Sequence, residues 1–208
     1  MQLLLASGNR KKLVELRAML EPMGLELLSP SDVGGLPEVV EDRDTFEGNA
    51  EKKAVSAAQH SGHWSLSDDS GLAVDFLDGA PGVLSARFAG DGPRSESQDA
   101  ANNEKLLRLM DKVPDDQRGA HFVCALCLVR PDGGVASLLR GTASGRILRA
   151  PRGTRDFGYD PIFEFTEPGF AATGMSFAEI EPALKSEVSH RGRALRALAA
   201  ELATLSQA

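Results

Sequence analysis

Two adjacent carboxylates, Asp68 and Asp69, stand in the segment SDDSG at residues 67–71. Carboxylate oxygens bind hard cations such as Mg²⁺, which commonly bridges to the phosphates of a substrate. A second carboxylate close by can accept a proton from water. Side chains alternate along an extended chain, so the two aspartates are predicted to point to opposite sides and need not share one role. The segment also fits an ordinary Asp-Ser-Gly turn between two strands, and the residues alone leave both interpretations open.

A second candidate is the segment SGNRKK, which runs from Ser7 to Lys12 and follows the apolar residues 2–6. A strand that turns through Gly8 into a helix exposes free N–H groups at the positive end of the helix dipole, and such an end attracts phosphate. Lys11 and Lys12 add positive charge. The segment lacks the Gly-Lys-Ser/Thr of a P-loop. The alternative is a capped helix start with solvated lysines.

Aromatic rings and cations nearer the carboxyl end could recognise a nucleobase. In DFGYDP, residues 156–161, Phe157 and Tyr159 offer faces on which bases stack. In KSEVSHR, His190 and Arg191 fall in the first turn of a predicted helix, where cations oppose the helix dipole. An anion or a carbonyl-rich base would relieve that conflict. The alternative for the two rings is that they fill the core.

The helix predicted over residues 45–60 has a charged face. Its charged side chains are Glu47, Glu51, Lys52 and Lys53. Glu47 and Glu51 are one turn apart and share a face, so either could support a metal. The alternative is a solvated surface of the helix.

The composition disfavours a nucleic-acid or membrane partner. The chain has 208 residues, of which 42% are hydrophobic, and a net charge of −7. A duplex-DNA binder would need a basic face. No apolar run approaches the roughly 18–20 residues that span a bilayer, and the first residues lack the basic segment of a signal peptide. Cys124 and Cys127 lie in a predicted buried strand and face opposite sides, so we expect two reduced thiols and a cytoplasmic protein.

Helix and strand patterns alternate early in the chain and predict a mixed α/β fold. Residues 119–130 and 134–149 are predicted to form a hairpin joined by the turn PDGG. Apolar periodicity and turn residues predict these further elements: a strand over 2–6, a helix from Arg10 that ends at Pro22 and Gly24, a loop over 29–45, a helix with an Asp or Thr cap that stops at Gly62, strand character at Leu66 and over 72–77, a helix over 97–111 and a last helix after Ser189.

Six motifs occur in order between residues 7 and 191 and together cover nearly the whole chain. They are Ser-Gly-Asn-x-x-Lys at 7–12, Thr-Phe-x-x-Asn-Ala-x-x-Lys-Ala at 45–54, Asp-Asp-Ser-Gly-Leu at 68–72, Gly-Ala-Pro-Gly-Val-x-Ser-Ala-Arg at 79–87, Phe-Gly-Tyr-Asp-Pro at 157–161 and Lys-x-x-x-Ser-His-Arg at 185–191. Each motif alone is weak. Six in register resemble the inosine triphosphate pyrophosphatase family.

The resemblance implies an α/β fold in which a long twisted mixed sheet is flanked by helices. It implies a single domain over residues 1–208 with two lobes and a central cleft. Members of the family hydrolyse ITP, dITP and XTP to the nucleoside monophosphate and pyrophosphate. By resemblance we therefore expect the same reaction here, with Mg²⁺ as cofactor, and a homodimer.

The resemblance also assigns roles to residues. Asp69 would bind Mg²⁺ and act as the general base, and Phe157 would stack on the purine. The donors of Lys185, His190 and Arg191 would suit the 6-keto oxygen of hypoxanthine or xanthine, which adenine lacks. The expected substrate-binding residues are Ser7, Gly8, Asn9, Arg10, Lys11, Lys12, Lys53, Ser70, Phe157, Gly158, Tyr159, Asp160, Lys185, His190 and Arg191.

One position departs from the family pattern. Many members carry a metal-binding Glu where this chain has Gly48, and the acid here is one residue earlier, at Glu47. A shift of one residue turns a helical side chain by about 100°. The sequence leaves open whether Glu47 reaches the metal through water or Asp68 substitutes for the missing acid. A nucleotide sensor without catalysis, and a general Mg²⁺ phosphatase acting on sugar phosphates, are the alternative functions.

Overall fold

A computed structural model describes residues 2–90, 95–154 and 158–205, apart from the side chains of Arg10, Lys11, Thr204 and Leu205. Within these residues there are five α-helices and six β-strands. The helices are α1 (Arg10–Leu20), α2 (Phe46–Ser61), α3 (Glu96–Leu109), α4 (Pro182–Val188) and α5 (His190–Leu205). The strands are β1 (Gln2–Leu5), β2 (Glu26–Leu28), β3 (Trp64–Val74), β4 (Gly119–Val129), β5 (Val135–Ile147) and β6 (Phe163–Phe165).

The described strands form one mixed sheet in the order β2-β1-β3-β4-β5-β6. Strand β1 is parallel to both β2 and β3, and α1 and α2 provide the helical crossovers that parallel neighbours need. Strands β5 and β6 are antiparallel. Strands β4 and β5 are neighbours joined by a short turn, in which the N–H of Gly133 donates to the carbonyl of Arg130. The predicted mixed sheet and the predicted hairpin are therefore confirmed.

The chain divides into two compact units. The first comprises Met1–Asp69, Cys124–Gly141 and Arg191–Ala208, and the second comprises Ser70–Val123 and Thr142–His190. In the first unit, helices cover both faces of the sheet. Leu3 and Leu5 pack with Leu16 of α1 and with α5, whereas Leu4 packs with Ala57 of α2. Because side chains alternate along a strand, α1 and α5 meet one set of side chains and α2 meets the other.

The segment SDDSG lies inside β3 and not in a turn. The sequence shows strand character only at Leu66 and at 72–77, but β3 runs unbroken from Trp64 to Val74. A 3-10 turn then follows over Asp75–Leu77, where the sequence predicted strand. Adjacent carboxylates are tolerated within this strand because Asp68 pairs with two cations and Asp69 pairs with one.

The second unit has a core rich in aromatic rings. The rings of Phe163 and Phe177 are fully buried and meet edge to face at 4.9 Å between centroids. Helix α3 adds Leu106 to this cluster, and Met110, the residue directly after the helix, packs there as well. The core therefore fixes α3, β6 and the segment that leads into α4 within the same unit.

Strand β4 carries the two cysteines. Cys124 and Cys127 are buried free thiols, as predicted. Burial raises the pKa of each thiol to about 12. Among the helices in the described ranges, none combines the length and apolar character needed to cross a membrane.

Candidate active site

The turn between β1 and α1 has the geometry of a capped helix start. The side-chain oxygen of Asn9 accepts a hydrogen bond from the N–H of Lys12 at 3.3 Å, which is the bond that an N-cap residue makes. The hydroxyl of Ser7 accepts from the N–H of Asn9 at 3.3 Å. A Cβ placed on Gly8 would meet nothing within 4 Å, so there is open space beside this turn. The side chains of Arg10 and Lys11 lie outside the described part of the chain.

Asp68 is buried in a group of cations on the α1 side of the sheet. Its carboxylate lies 2.7 Å from the ammonium of Lys12 and 3.4 Å from the guanidinium of Arg191. Arg191 also forms an ion pair with Glu15 of α1. Burial by itself would raise the pKa of Asp68, but Lys12 and Arg191 outweigh it and hold the pKa of this carboxyl well below its ordinary value. Asp68 therefore stays ionised as the shared counter-ion of two cations.

Asp69 contacts α2 instead. One carboxylate oxygen accepts from the side-chain amide of Asn49 at 3.3 Å, and the other lies 3.2 Å from the ammonium of Lys53. Burial raises the pKa of Asp69, and the nearby charge of Lys53 offsets this only in part. The two neighbouring aspartates therefore have pKa values displaced in opposite directions. The predicted split of their side chains between two surroundings is confirmed.

Glu41 is a site residue that the sequence did not indicate. Its carboxylate lies 2.8 Å from the ammonium of Lys53, so Glu41 and Asp69 share this one cation. Glu41 stands in an irregular segment before α2, which the sequence identified only as loop. The acid-rich stretch EVVED was the only local signal, and it could not say which acid reaches Lys53.

The donor set around Lys53 fits a hard divalent cation. Mg²⁺ is usually held by one or two carboxylates together with substrate phosphates and water. Asp69 and Glu41 are two carboxylates that both pair with the ammonium of Lys53. Across residues 2–90, 95–154 and 158–205, the structure has no group of three or more His, Cys, Asp or Glu side chains arranged to hold a metal by themselves. Asp69 and Glu41 are therefore the two described carboxylates at Lys53 that could contribute to such a site.

At Gly48, where the sequence differs from the family pattern, the structure leaves little space for a side chain. A Cβ at this position would lie 3.0 Å from the Cβ of Arg43 and 3.1 Å from the hydroxyl of Thr45, the N-cap of α2. A larger residue would therefore require the side chains of Arg43 and Thr45 to move by a few tenths of an ångström. Glu47 forms an ion pair with Arg140 of β5 at 2.7 Å. A metal role for Glu47 stays a prediction.

In the second unit, Lys185 and Asp160 form an ion pair. The ammonium of Lys185 also lies 5.6 Å from the centre of the Phe177 ring. Tyr159 is 4% exposed, and its hydroxyl donates to the carbonyl of Ser85 at 2.8 Å. Its ring is thus part of the core, as one of the two sequence interpretations stated, and a substrate contact by Tyr159 stays a prediction.

His190 is also in the second unit and is held by an aromatic stack. Its ring lies nearly parallel to that of Phe122, at 9° and 4.8 Å between centroids. Phe122 in turn stacks on Phe177 at 2° and 5.5 Å. Ser70 is half-buried in β3. Phe157, the residue expected to stack on the purine, lies outside the described residues.

The chain belongs to the Ham1 family, whose model matches residues 3–201. It is 47% identical to a dITP/XTP pyrophosphatase of Rhodopirellula baltica, and the match covers 99% of this chain and 94% of that protein. The structure of a HAM1 protein from Coxiella burnetii matches with a TM-score of 0.86 at 34% identity, covering 98% of this chain and 99% of that one. A Mycobacterium abscessus structure described as a nucleoside-triphosphatase and dITP/XTP pyrophosphatase matches with a TM-score of 0.75 at 46% identity, covering 95% and 98%. The family resemblance and the fold class expected from the motifs are confirmed.

Proposed function

We propose that this protein hydrolyses the purine nucleoside triphosphates ITP, dITP and XTP to the nucleoside monophosphate and pyrophosphate. The observation that carries the proposal is that Asp68 and Asp69, although adjacent, contact different charged side chains. One carboxylate is neutralised by two buried cations, and the other shares Lys53 with Glu41. The similarity to dITP/XTP pyrophosphatases over nearly the full chain supports the same substrates.

The triphosphate would bind at the first unit through positive charge and through backbone N–H groups at the start of α1. The N-terminus of α1, capped by Asn9, offers backbone donors, and Lys12 and Lys53 offer ammonium groups close to the two aspartates. Such positioning and charge neutralisation account for most of the catalysis in phosphoryl-type transfer. Asp68 keeps Lys12 in place, because a buried ammonium next to an ionised carboxylate has little freedom to move.

Asp69 would accept the proton of the attacking water. The water oxygen forms a bond to the α-phosphorus, the bond from that phosphorus to the bridging oxygen breaks, and pyrophosphate leaves. Burial raises the pKa of Asp69, which favours proton acceptance, whereas a bound Mg²⁺ would lower that pKa. We propose Mg²⁺ as the cofactor, with Asp69 and Glu41 as its protein ligands; when bound, the ion would neutralise phosphate charge.

Base selection would rest on donors in the region of Lys185 and His190. Both are suited to a 6-keto oxygen, whereas adenine presents an amino group that leaves such donors unpaired. Arg191 was expected to contribute here as well. In the structure its guanidinium contacts Asp68 and Glu15, and its contact with the base stays a prediction.

The test is to incubate the protein with ITP and Mg²⁺ and to identify the products by phosphorus NMR. We expect IMP and pyrophosphate, and no turnover with EDTA. Inosine diphosphate with orthophosphate would contradict the proposal. Binding of ITP without turnover would instead indicate a nucleotide sensor, and equal rates with sugar phosphates would indicate a general phosphatase.

We further propose a homodimer in the cytoplasm. The homodimer follows from the family resemblance. The two buried free thiols are consistent with a reducing compartment. Size-exclusion chromatography with light scattering would give the mass in solution, and a value of one chain mass would contradict the dimer.

A further inference from the structure

Helix α3 holds a glycine of the FGYDP motif by both of its backbone polar groups. The N–H of Gly158 donates to the carboxylate of Asp99 at 3.1 Å, and its carbonyl accepts from the side-chain amide of Asn103 at 2.9 Å. Asp99 and Asn103 are one helical turn apart, so they project from the same face of α3. Two side chains from one helix turn thus bind both polar groups of a residue more than fifty positions away.

The backbone held in this way has an unusual conformation. Gly158 has φ +57°, in the left-handed region that glycine adopts without a Cβ clash. A glycine is the residue with the most freedom to leave such a conformation. The two hydrogen bonds from α3 therefore restrain the backbone at Gly158, which a glycine by itself leaves free to change conformation.

The next residue, Tyr159, is linked to the same helix through the carbonyl of Ser85. The hydroxyl of Tyr159 and the amide of Asn102 both donate to the carbonyl of Ser85, at 2.8 and 3.3 Å. Asn102 also accepts from the N–H of Ala89 at 2.7 Å. Asp160 then forms the ion pair with Lys185. Residues 158 to 160 are thus linked to α3 through Gly158 and Ser85, and to Lys185 through Asp160.

Asn103 is not explained by stability alone. Its amide nitrogen is committed to the carbonyl of Gly158, which fixes which side-chain atom is the oxygen. Within the described ranges, that buried oxygen has no hydrogen-bond partner. A buried acceptor without a partner is unfavourable. A residue kept for stability would avoid this penalty, so the bond to Gly158 is the better reason for an asparagine here.

We infer that Asp99 and Asn103 are positioning residues for purine recognition: by holding Gly158 they fix the segment whose Asp160 holds Lys185. The inference rests on the proposed function, in which Lys185 donates to the purine. Neither residue belongs to the six motifs. Their effect reaches the base through Gly158 and Asp160 and not by direct contact.

The test compares Asp99→Ala and Asn103→Ala with the wild-type protein in ITP and ATP hydrolysis. Each variant loses one bond to Gly158, so we expect the KM for ITP to rise roughly tenfold with a much smaller change in kcat. The preference for ITP over ATP falls by a similar factor. Inhibition by pyrophosphate, which lacks a base, stays at the wild-type level. Asp99→Asn keeps an acceptor oxygen and restores the wild-type KM.

Glu104→Ala is the matched control, since Glu104 lies on the exposed side of α3 with 72% of its side chain accessible. If Asn103→Ala fails to fold, Asn103→Asp keeps the size of the side chain while its carboxylate repels the Gly158 carbonyl, and the same rise in KM is expected. Variants with a lower Tm but wild-type KM and wild-type ITP preference would overturn the inference. Absence of ITP hydrolysis by the wild-type protein would refute the proposed function instead.

Discussion

The first unit gathers charges around its two aspartates, whereas the second unit holds Lys185 and His190 among aromatic rings and backbone hydrogen bonds. Around Asp68 and Asp69 the interactions are ion pairs, which are strong but tolerate some displacement. In the second unit, His190 stacks on Phe122, the backbone of Gly158 is held by two directional hydrogen bonds, and Lys185 pairs with Asp160; the stack and the hydrogen bonds fix orientation. The difference matches two tasks. Neutralising a triphosphate requires charge, and distinguishing a keto from an amino group requires geometry.

The comparison also holds within the first unit. Asp68 and Asp69 are neighbours in β3, yet one is stabilised by Lys12 and Arg191 and the other is disfavoured in its charged form by burial. Removing each charge should therefore affect different properties. Asp68 should matter mainly for stability and Asp69 mainly for turnover.

Asp69→Asn should have the largest effect on activity. The amide cannot accept a proton, so we expect kcat for ITP to fall about 10²- to 10⁴-fold. The Tm measured in EDTA should equal or slightly exceed that of the wild-type protein, because a buried carboxylate with a raised pKa is replaced by a neutral group. Steady-state kinetics and calorimetry check both points. A kcat near the wild-type value would remove Asp69 from the role of proton acceptor.

Asp68→Asn should lower the free energy of unfolding by about 3–5 kcal/mol, because two buried cations lose their shared partner. The pKa of Asp68 is lower in the folded protein than its ordinary 3.8, so its stabilisation is fully present above that pH and is lost as the pH falls below it. The difference between variant and wild type in urea unfolding should thus be full at pH 7 and shrink below about pH 4.

Asp42→Asn is the matched control for this prediction. The Asp42–Lys52 pair has the same 2.7 Å separation as the Asp68–Lys12 pair but is exposed. Its loss should leave the midpoint of unfolding nearly unchanged. Equal effects of the two substitutions would show that burial does not distinguish the two ion pairs.

Phe122→Leu tests the aromatic stack in the second unit. An aromatic contact of this kind contributes about 0.5–1.5 kcal/mol, so we expect the preference for ITP over ATP to fall roughly 3- to 10-fold. Phe122→Tyr keeps the ring and should keep the preference. Phe170→Leu removes a ring of the same core that meets Phe165 edge to face, and it should lower the Tm without changing the preference. Equal loss of preference in both leucine variants would mean that the stack has no special role.

Glu47→Gln should have the smallest effect. Glu47 pairs with Arg140 on a partly exposed surface, and such a pair contributes about 0–1 kcal/mol. We expect kcat and the Mg²⁺ concentration for half-maximal rate to change less than about twofold. A large rise in that Mg²⁺ concentration would instead make Glu47 the replacement for the glutamate that is absent at Gly48.

The sequence predicted well what local interactions decide. The turn into α1, the Thr45 cap of α2 and the hairpin of β4 and β5 each depend on residues within a few positions of one another. It did not predict Glu41, Asp99 or Asn103. These residues act through contacts 12, 59 and 55 positions away, and no periodicity encodes such contacts.

The continuity of β3 was missed for a related reason. Two adjacent carboxylates disfavour a strand when only neighbours are considered. The cations that pair with them lie on α1, α2 and α5, and the sequence pattern does not predict which cation pairs with which aspartate. The six motifs indicated that these segments contribute to one site. Only the structure shows that Lys12 pairs with Asp68 and Lys53 with Asp69.

The two thiols of β4 also allow local unfolding of this strand to be measured by thiol labelling. Cys124 and Cys127 are buried, and with pKa values raised to about 12 almost no thiolate exists at neutral pH. A thiol reagent therefore reacts only with molecules in which β4 has left the sheet. The labelling rate measures how often the central strand is exposed. A ligand that binds the native state slows that rate in proportion to its occupancy, whether or not it is turned over.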